Sequence, residues 1–154
     1  MTNRKYFKKS IGLLFNAAGY ELRGNCWTRL NSEVVVVVNL DKSPYDDQHY
    51  LEVGFWLTAL GCYEGQKPPK CHLRFSLESL FAENRILILD ATILPNTGGD
   101  LSVSERFLSF MKNGAIPFLL TCDQFSNLLQ HYRGGRFHDG LIRKEAKVLL
   151  NESR

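Results

Sequence analysis

The first twenty residues place apolar side chains on one face of a helix. Six of them recur at steps of three and four: Tyr6, Phe7, Ile11, Leu14, Phe15 and Ala18. Thr2 or Asn3 is suited to cap the start of this helix, and Gly19 is suited to the left-handed position that follows a helix end. The spacing therefore predicts an amphipathic helix that ends near residue 18.

Two segments rich in β-branched residues follow the helix. Residues 26–30 and 33–40 are separated by Asn31-Ser32, which has the composition of a tight hairpin turn, so the two strands are expected to pair antiparallel. The second segment contains five consecutive valines, Val34 to Val38, with no alternation of apolar and polar positions. Such a run is typical of a strand that is covered on both faces. It predicts an inner strand of the sheet, with packing on each side.

A third strand is predicted from the alternating pattern between residues 50 and 59. Its core face is expected to carry Leu51, Val53, Phe55, Leu57 and Ala59. The polar segment 61–70 is rich in Gly and Pro and is predicted as a loop. The short apolar segments 73–75 and 86–89 are predicted as two further strands.

The apolar spacing becomes helical again after residue 100. Ser102-Val103-Ser104-Glu105 has the pattern of a capping box and opens a helix that is predicted to stop at Asn113-Gly114. Thr121-Cys122-Asp123-Gln124 repeats that pattern ahead of a helix that ends at Gly134-Gly135. A last helix is predicted over residues 139–150.

The order of helix, strands and helices predicts an α+β fold. We expect an antiparallel meander sheet of about five strands, flanked by an N-terminal helix and two or three C-terminal helices. The 154 residues match the usual size of one domain, so residues 1–154 are predicted to form a single domain.

Charge is distributed unevenly along a chain whose net charge is only +3. Residues 1–29 carry six Lys or Arg against one acid, residues 30–130 carry seven against twelve acids, and residues 131–154 carry six against three. An acidic middle thus lies between basic ends. If the two ends fold onto one face, the molecule has two electrically different sides that steer different partners.

Several features indicate a protein of the cytoplasm. The longest apolar run is far shorter than the roughly 20 residues that span a bilayer, and the segment 6–18 lacks the apolar core of a secretory signal. The four cysteines contain no C-x-x-C pair and are most simply reduced thiols. No membrane association is expected.

Two segments concentrate residues that are capable of chemistry. Asp46, Asp47 and His49 in the loop 43–49 offer metal ligands or acid–base groups, although Pro and Asp are also ordinary turn formers. Arg133, Arg136 and His138 surround a Gly pair and can hold a phosphate, although cations are also favoured at any helix C-terminus.

Sequence motifs of known enzyme classes are missing. The chain has no G-x-S-x-G nucleophile turn, no Walker loop and no dinucleotide-binding glycine pattern. Cys71-His72 would need two more ligands to bind zinc, and no further pair of ligands is recognisable in the sequence. We therefore expect no cofactor. Trp27 and Trp56 lie on strands, where core packing is favoured over a role as interface anchors.

Five segments together resemble the bacterial domain of unknown function family 4304. They are Gly19-Tyr20, Trp27-Thr28-Arg29, the run from Val36 to Ser43, Tyr50-Leu51-Glu52-Val53-Gly54, and Cys71-His72-Leu73-Arg74. Ile116-Pro117-Phe118-Leu119 is similar as well. Asp41 and Glu52 occupy positions where the family often has Gln and Asn. The resemblance implies the fold of this family, which has no established activity to carry over.

The acidic middle and the missing catalytic motifs favour a non-catalytic binding protein. Our first hypothesis is a bacterial immunity protein that neutralises a basic toxin through Asp46, Asp47, Glu52 and Glu64. The alternatives are a nucleic-acid or nucleotide binding protein that uses the basic termini, with Arg133, Arg136 and His138 on phosphates, and a metal-dependent hydrolase at the loop 43–49. The oligomeric state is left open.

Overall fold

A computed structural model describes residues 2–96 and 102–153. The chain forms seven α-helices and six β-strands within these residues: α1 (Asn3–Ala17), β1 (Glu21–Arg23), β2 (Cys26–Arg29), β3 (Val34–Lys42), β4 (His49–Leu57), β5 (Leu73–Ser76), α2 (Leu77–Leu80), α3 (Arg85–Ala91), α4 (Glu105–Phe110), α5 (Ile116–Thr121), α6 (Phe125–Arg133), β6 (Leu141–Ile142) and α7 (Lys144–Glu152). A π-helical turn, Met111–Ala115, joins α4 to α5. No helix in the described part is both long and apolar enough to cross a bilayer.

The strands form one open sheet in the order of the chain, and every neighbouring pair is antiparallel. The predicted α+β fold with an antiparallel meander is therefore confirmed. Strand β3 lies inside the sheet between β2 and β4, and all five valines are buried. Strand β1, which is short and exposed, was not predicted.

The two faces of the sheet are covered differently. Val34, Val36 and Val38 join the main core, to which all the helices named above contribute. Val35 and Val37 face the other way, into a small cluster with Cys26 and Cys71 that Trp56 and Tyr63 flank. That second face is covered by residues 58–72, which we call the covering loop. The prediction of packing on each side of the valine strand is confirmed, but a loop provides one of the two layers.

Helix α1 has the boundaries that its spacing predicts. The Thr2 hydroxyl accepts a hydrogen bond from the Lys5 backbone N–H at 3.2 Å, and Gly19 adopts a φ of +89°, a conformation that favours glycine. Its apolar face buries Phe7, Ile11 and Phe15 against the sheet and α4. The local pattern of residues was therefore sufficient to predict where this helix begins and ends.

Two predictions about the C-terminal half were wrong. Residues 86–89 belong to helix α3, not to a strand, because a short continuous apolar run has no period that separates the two structures. The place beside β5 is taken instead by β6, which the sequence placed inside the last helix. Helix α7 begins only at Lys144.

The helix predicted to stop at Asn113-Gly114 continues through the π-helical turn into α5. The wide turn precedes Pro117, which has no N–H and whose ring clashes with the carbonyl four residues earlier in a regular helix. Ser104 caps the start of α4, since its hydroxyl accepts from the Phe107 N–H at 3.3 Å. The predicted cap of α6 is not formed: Gln124 occupies the cap position without a side-chain hydrogen bond, and the Thr121 hydroxyl donates to the Phe118 carbonyl of α5 instead.

Candidate partner-binding surface

The loop between β3 and β4, residues 43–48, is closed by its own hydrogen bonds; we call it the acidic loop. The Ser43 N–H donates to the Gln48 carbonyl at 2.8 Å. The Ser43 hydroxyl accepts from the Tyr45 N–H at 3.2 Å, and the Asp46 carboxylate accepts from the Gln48 N–H at 3.0 Å. Lys42 Nζ donates to the carbonyls of Ser43 and Asp46. These bonds hold the loop in one shape.

The base of the acidic loop is also fixed to the end of α3. Gln48 Nε2 donates to the Leu89 carbonyl at 3.0 Å and to the Thr92 hydroxyl at 2.8 Å. The Leu94 N–H donates to the Asp47 carbonyl at 3.0 Å. Helix α3, which the sequence analysis missed, therefore supports this loop from behind.

The acidic loop presents an exposed aromatic ring next to two carboxylates. Tyr45 is 94% exposed, and Pro44, Asp46 and Asp47 are exposed as well. The Gln48 side chain is the one that reaches the protein body, whereas those of Tyr45, Asp46 and Asp47 face solvent and are accessible to a partner.

A polar area of the sheet, which we call the outer face, continues from the loop. In the register of β3 and β4, Asp41 is opposite Tyr50 and Asn39 is opposite Glu52, so these residues share the face that carries Val35 and Val37. Asn39 Nδ2 donates to Asp41 at 2.8 Å. The covering loop lies over the neighbouring part of this face, at the level of Gly54.

Glu52 forms a bidentate ion pair with Arg74 of β5. The guanidinium Nε is 3.2 Å from one carboxylate oxygen and a terminal nitrogen is 2.9 Å from the other. These hydrogen bonds raise the pKa of Arg74. The negative charge of Glu52 is therefore largely balanced by Arg74, so Glu52 adds little net charge to the outer face.

The four acids that the sequence analysis selected do not form one cluster. Asp46 and Asp47 are neighbours in the acidic loop, Glu52 lies on the sheet, and Glu64 lies in the covering loop, where its N–H donates to Gln66 at 2.6 Å. Asp41 was missed as a member of the surface. The alternation of β3 signals it, since residues 35, 37, 39 and 41 share one face.

Asp46, Asp47 and His49 do not converge as the hydrolase hypothesis requires. The two aspartates are exposed, whereas His49 is buried and its Nδ1 lies 2.9 Å from the Asp47 carbonyl. Burial lowers the pKa of His49. Across residues 2–96 and 102–153, no group of three or more His, Cys, Asp or Glu is arranged to hold a metal ion.

The three basic residues near the C-terminus occupy different environments. Arg136 stacks on the rings of Phe81 and Phe118, at 4.9 and 4.3 Å, and donates to the Leu80 carbonyl at 2.8 Å. Arg133 and His138 line one groove, and His138 also lines a second depression together with Arg136. Arg136 is thus held by aromatic packing, and neither of these two grooves is lined by all three residues.

One family model matches the chain, "Domain of unknown function (DUF4304)", over residues 11–132. No curated protein and no solved structure matches the chain significantly. The matched residues include the acidic loop and the whole outer face. Helix α7, β6 and most of the C-terminal groove lie beyond them.

Proposed function

The chain belongs to the family of domains of unknown function DUF4304, and from this premise we propose that it is a small, non-catalytic binding protein. Its ligand is a basic protein that docks on the acidic loop and the adjoining outer face. The observation that carries the proposal is a tyrosine that is 94% exposed and is followed by two exposed aspartates, on a loop that internal hydrogen bonds hold in place.

Rigidity is the first argument for this function. A surface that is already ordered before binding loses less conformational entropy when the partner docks. The acidic loop gains its order from Lys42 and Gln48, which bind backbone carbonyls and a buried threonine. An ordinary solvated turn does not need such support from a neighbouring helix.

Charge and residue type identify the partner's chemistry. The surface carries four carboxylates, those of Asp41, Asp46, Asp47 and Glu52, against the cations Lys42 and Arg74. Acidic surfaces accelerate association with basic partners. Tyrosine is among the residues that most often supply the binding energy at the centre of an interface.

In this proposal the protein is an immunity protein of the bacterial cytoplasm. Its partner is a toxin with a basic groove for nucleic acid, and the acidic loop occupies that groove in place of phosphates. Such a protein needs no catalytic residues, since blocking the groove is sufficient.

The test is binding to the products of the genes that flank this one. Each is co-expressed with the tagged chain, and the affinity of any retained complex is measured at low and high salt. We expect a complex that weakens with salt, and an affinity about 30-fold lower for Tyr45→Ala, the size typical of a central interface residue.

A matched charge control makes the test specific to the surface. Asp46→Lys and Glu83→Lys change the net charge equally, and both sites are exposed, but Glu83 lies beside α3 outside the proposed surface. We expect slower association only for Asp46→Lys. Equal effects of both variants, or no retained complex with any flanking product, would count against the proposal.

A further inference from the structure

A groove of about 520 Å³ lies between the C-terminal end of α6 and helix α7. It is separate from the acidic loop and the outer face. Six residues that matter for its chemistry line it: Tyr132, Arg133, Gly135, His138, Lys147 and Asn151. The volume is within the range of pockets for small organic ligands.

The groove is positively charged. Arg133, His138 and Lys147 line it, and no described acidic residue does. Asp139, whose carboxylate is 3.3 Å from His138 Nε2, is not among the lining residues. The Lys147 side chain is exposed and makes no hydrogen bond or ion pair with any residue of the described part. An unpaired lysine beside an arginine is a ready site for an anion.

Hydrogen-bond donors remain available next to these charges. Arg133 uses one terminal nitrogen to bind the Ser153 carbonyl, which leaves further N–H groups of its five. The Tyr132 hydroxyl donates to the Asn151 side-chain oxygen at 2.7 Å, which fixes both side chains and leaves the Asn151 amide N–H groups free to donate. Fixed neutral donors beside cations suit the oxygens of a phosphate and of a sugar.

Glycine backbone forms part of the groove wall. Gly135 has a φ of +79°, and a side chain there is strained. The neighbouring Gly140 has no space for a Cβ, which would lie 1.9 Å from a ring carbon of Phe75. The segment 134–140 is therefore shaped by backbone constraints, and it leaves the space in front of Arg133 and Lys147 open.

We propose that this groove binds a phosphate monoester of nucleotide size, with Arg133 and Lys147 on the phosphate oxygens and Asn151 on the sugar. This site is independent of the proposed partner-binding surface. The site differs from the phosphate-binding set predicted from the sequence. Arg136 is not part of it, because that side chain stacks on Phe81 and Phe118. Lys147, which was not predicted, is part of it.

The test is an amide NMR titration of the full chain at low ionic strength with adenosine 5′-monophosphate, inorganic phosphate and adenosine as separate probes. We expect saturable shifts confined to residues 132–151 with the monophosphate, weaker shifts of the same signals with phosphate, and none with adenosine. Shifts elsewhere, or equal binding of adenosine and its monophosphate, would overturn the proposal.

Charge reversal at one exposed lysine provides the matched control. Lys147→Glu is expected to weaken binding of the monophosphate about tenfold or more, because it removes a charge-assisted hydrogen bond. Lys112→Glu, at another exposed lysine on the π-helical turn, is expected to change it little. Equal losses in the two variants would overturn the site. Unchanged amide spectra of the free variants establish that both are folded.

Two further probes separate a free nucleotide from the end of a nucleic acid. A short single strand with a 5′-phosphate is compared with the same strand bearing a 5′-hydroxyl. Binding of the phosphorylated strand as tightly as the monophosphate assigns the groove to a nucleic-acid end, and failure of that strand assigns it to a free nucleotide. Equal binding of both strands contradicts recognition of a terminal phosphate.

Discussion

The ion pair between Arg29 and Asp123 joins three parts of the fold that are far apart in sequence. Arg29 lies on β2, and Asp123 lies in the turn between α5 and α6; one guanidinium nitrogen contacts the carboxylate directly. Arg29 Nε also donates to the Ala18 carbonyl at 3.2 Å, at the end of α1. The side chains are 29% and 10% exposed. The pair therefore fastens a strand, a helix end and a helical turn together.

Replacing Arg29 by Met leaves the Asp123 carboxylate nearly buried without its cation. Removing one partner of a buried pair typically costs about 3–5 kcal/mol. Because Arg29 is partly exposed, water can reach the vacated side of Asp123, and we expect about 2–3 kcal/mol. For a chain of this length each kcal/mol lowers the melting temperature by about 2–4 °C, so Arg29→Met should melt roughly 5–10 °C lower.

A double-mutant cycle with Asp123→Ala, followed by urea unfolding, measures the coupling. We expect a coupling free energy of at least about 1 kcal/mol, since the side chains touch and share a buried site. The control is the pair Glu21–Arg23, at 3.1 Å but 70% and 52% exposed, for which about 0–1 kcal/mol is expected. If the Arg29 and Asp123 changes are additive, or no larger than the control, the pair does not stabilise the fold as inferred.

Two further predictions concern stability. Gly54→Ala should lower the free energy of unfolding in urea by about 1–3 kcal/mol, because its Cβ would lie 2.8 Å from the Pro68 backbone and the covering loop must shift. The control is Gly114→Ala, whose Cβ would meet only Phe110, at 3.5 Å. A loss of stability for Gly54→Ala that is no larger than for the control would argue against close contact between the loop and the sheet. Burial lowers the pKa of His72, whose Nδ1 accepts from the Leu57 N–H at 2.9 Å. As pH falls below about 6.5, the imidazole therefore takes up a proton more readily in the unfolded chain than in the folded one. The free energy of unfolding should decrease from there toward pH 5, and it should decrease less steeply in His72→Gln. A stability that does not change with pH in this window would contradict the prediction.

Much of the fold was predictable because its signals are local. The valine run requires cover on both faces, and this placed β3 inside the sheet before any contact was known. The alternation in β4 identified Leu51, Val53, Phe55 and Leu57 as core residues, and all four are buried. Ala59, which the same alternation placed in the core, is exposed because the strand ends at Leu57 and a 3-10 turn follows. Gly19 marked the end of α1. Each inference depends on neighbours within a few residues, where the physical constraints of a helix or strand act directly.

The candidate surface was predictable only in part. The composition of the acidic loop indicated Asp46 and Asp47 as exposed turn residues. That Glu52 is neutralised depends on Arg74, a residue 22 positions away that the antiparallel register brings close. A set of charges can be read from sequence, but not which of them pair, because pairing depends on strand register.

The sequence by itself determined the class of fold, the inner strand and the acidic character of the β3–β4 loop. Only the tertiary structure decided that residues 86–89 form a helix behind that loop, that two residues near the C-terminus complete the sheet, and that Arg136 stacks between Phe81 and Phe118. Short apolar runs and isolated charges are compatible with several local conformations. The partners that select one of them are distant in sequence, so folding of the whole chain makes the choice.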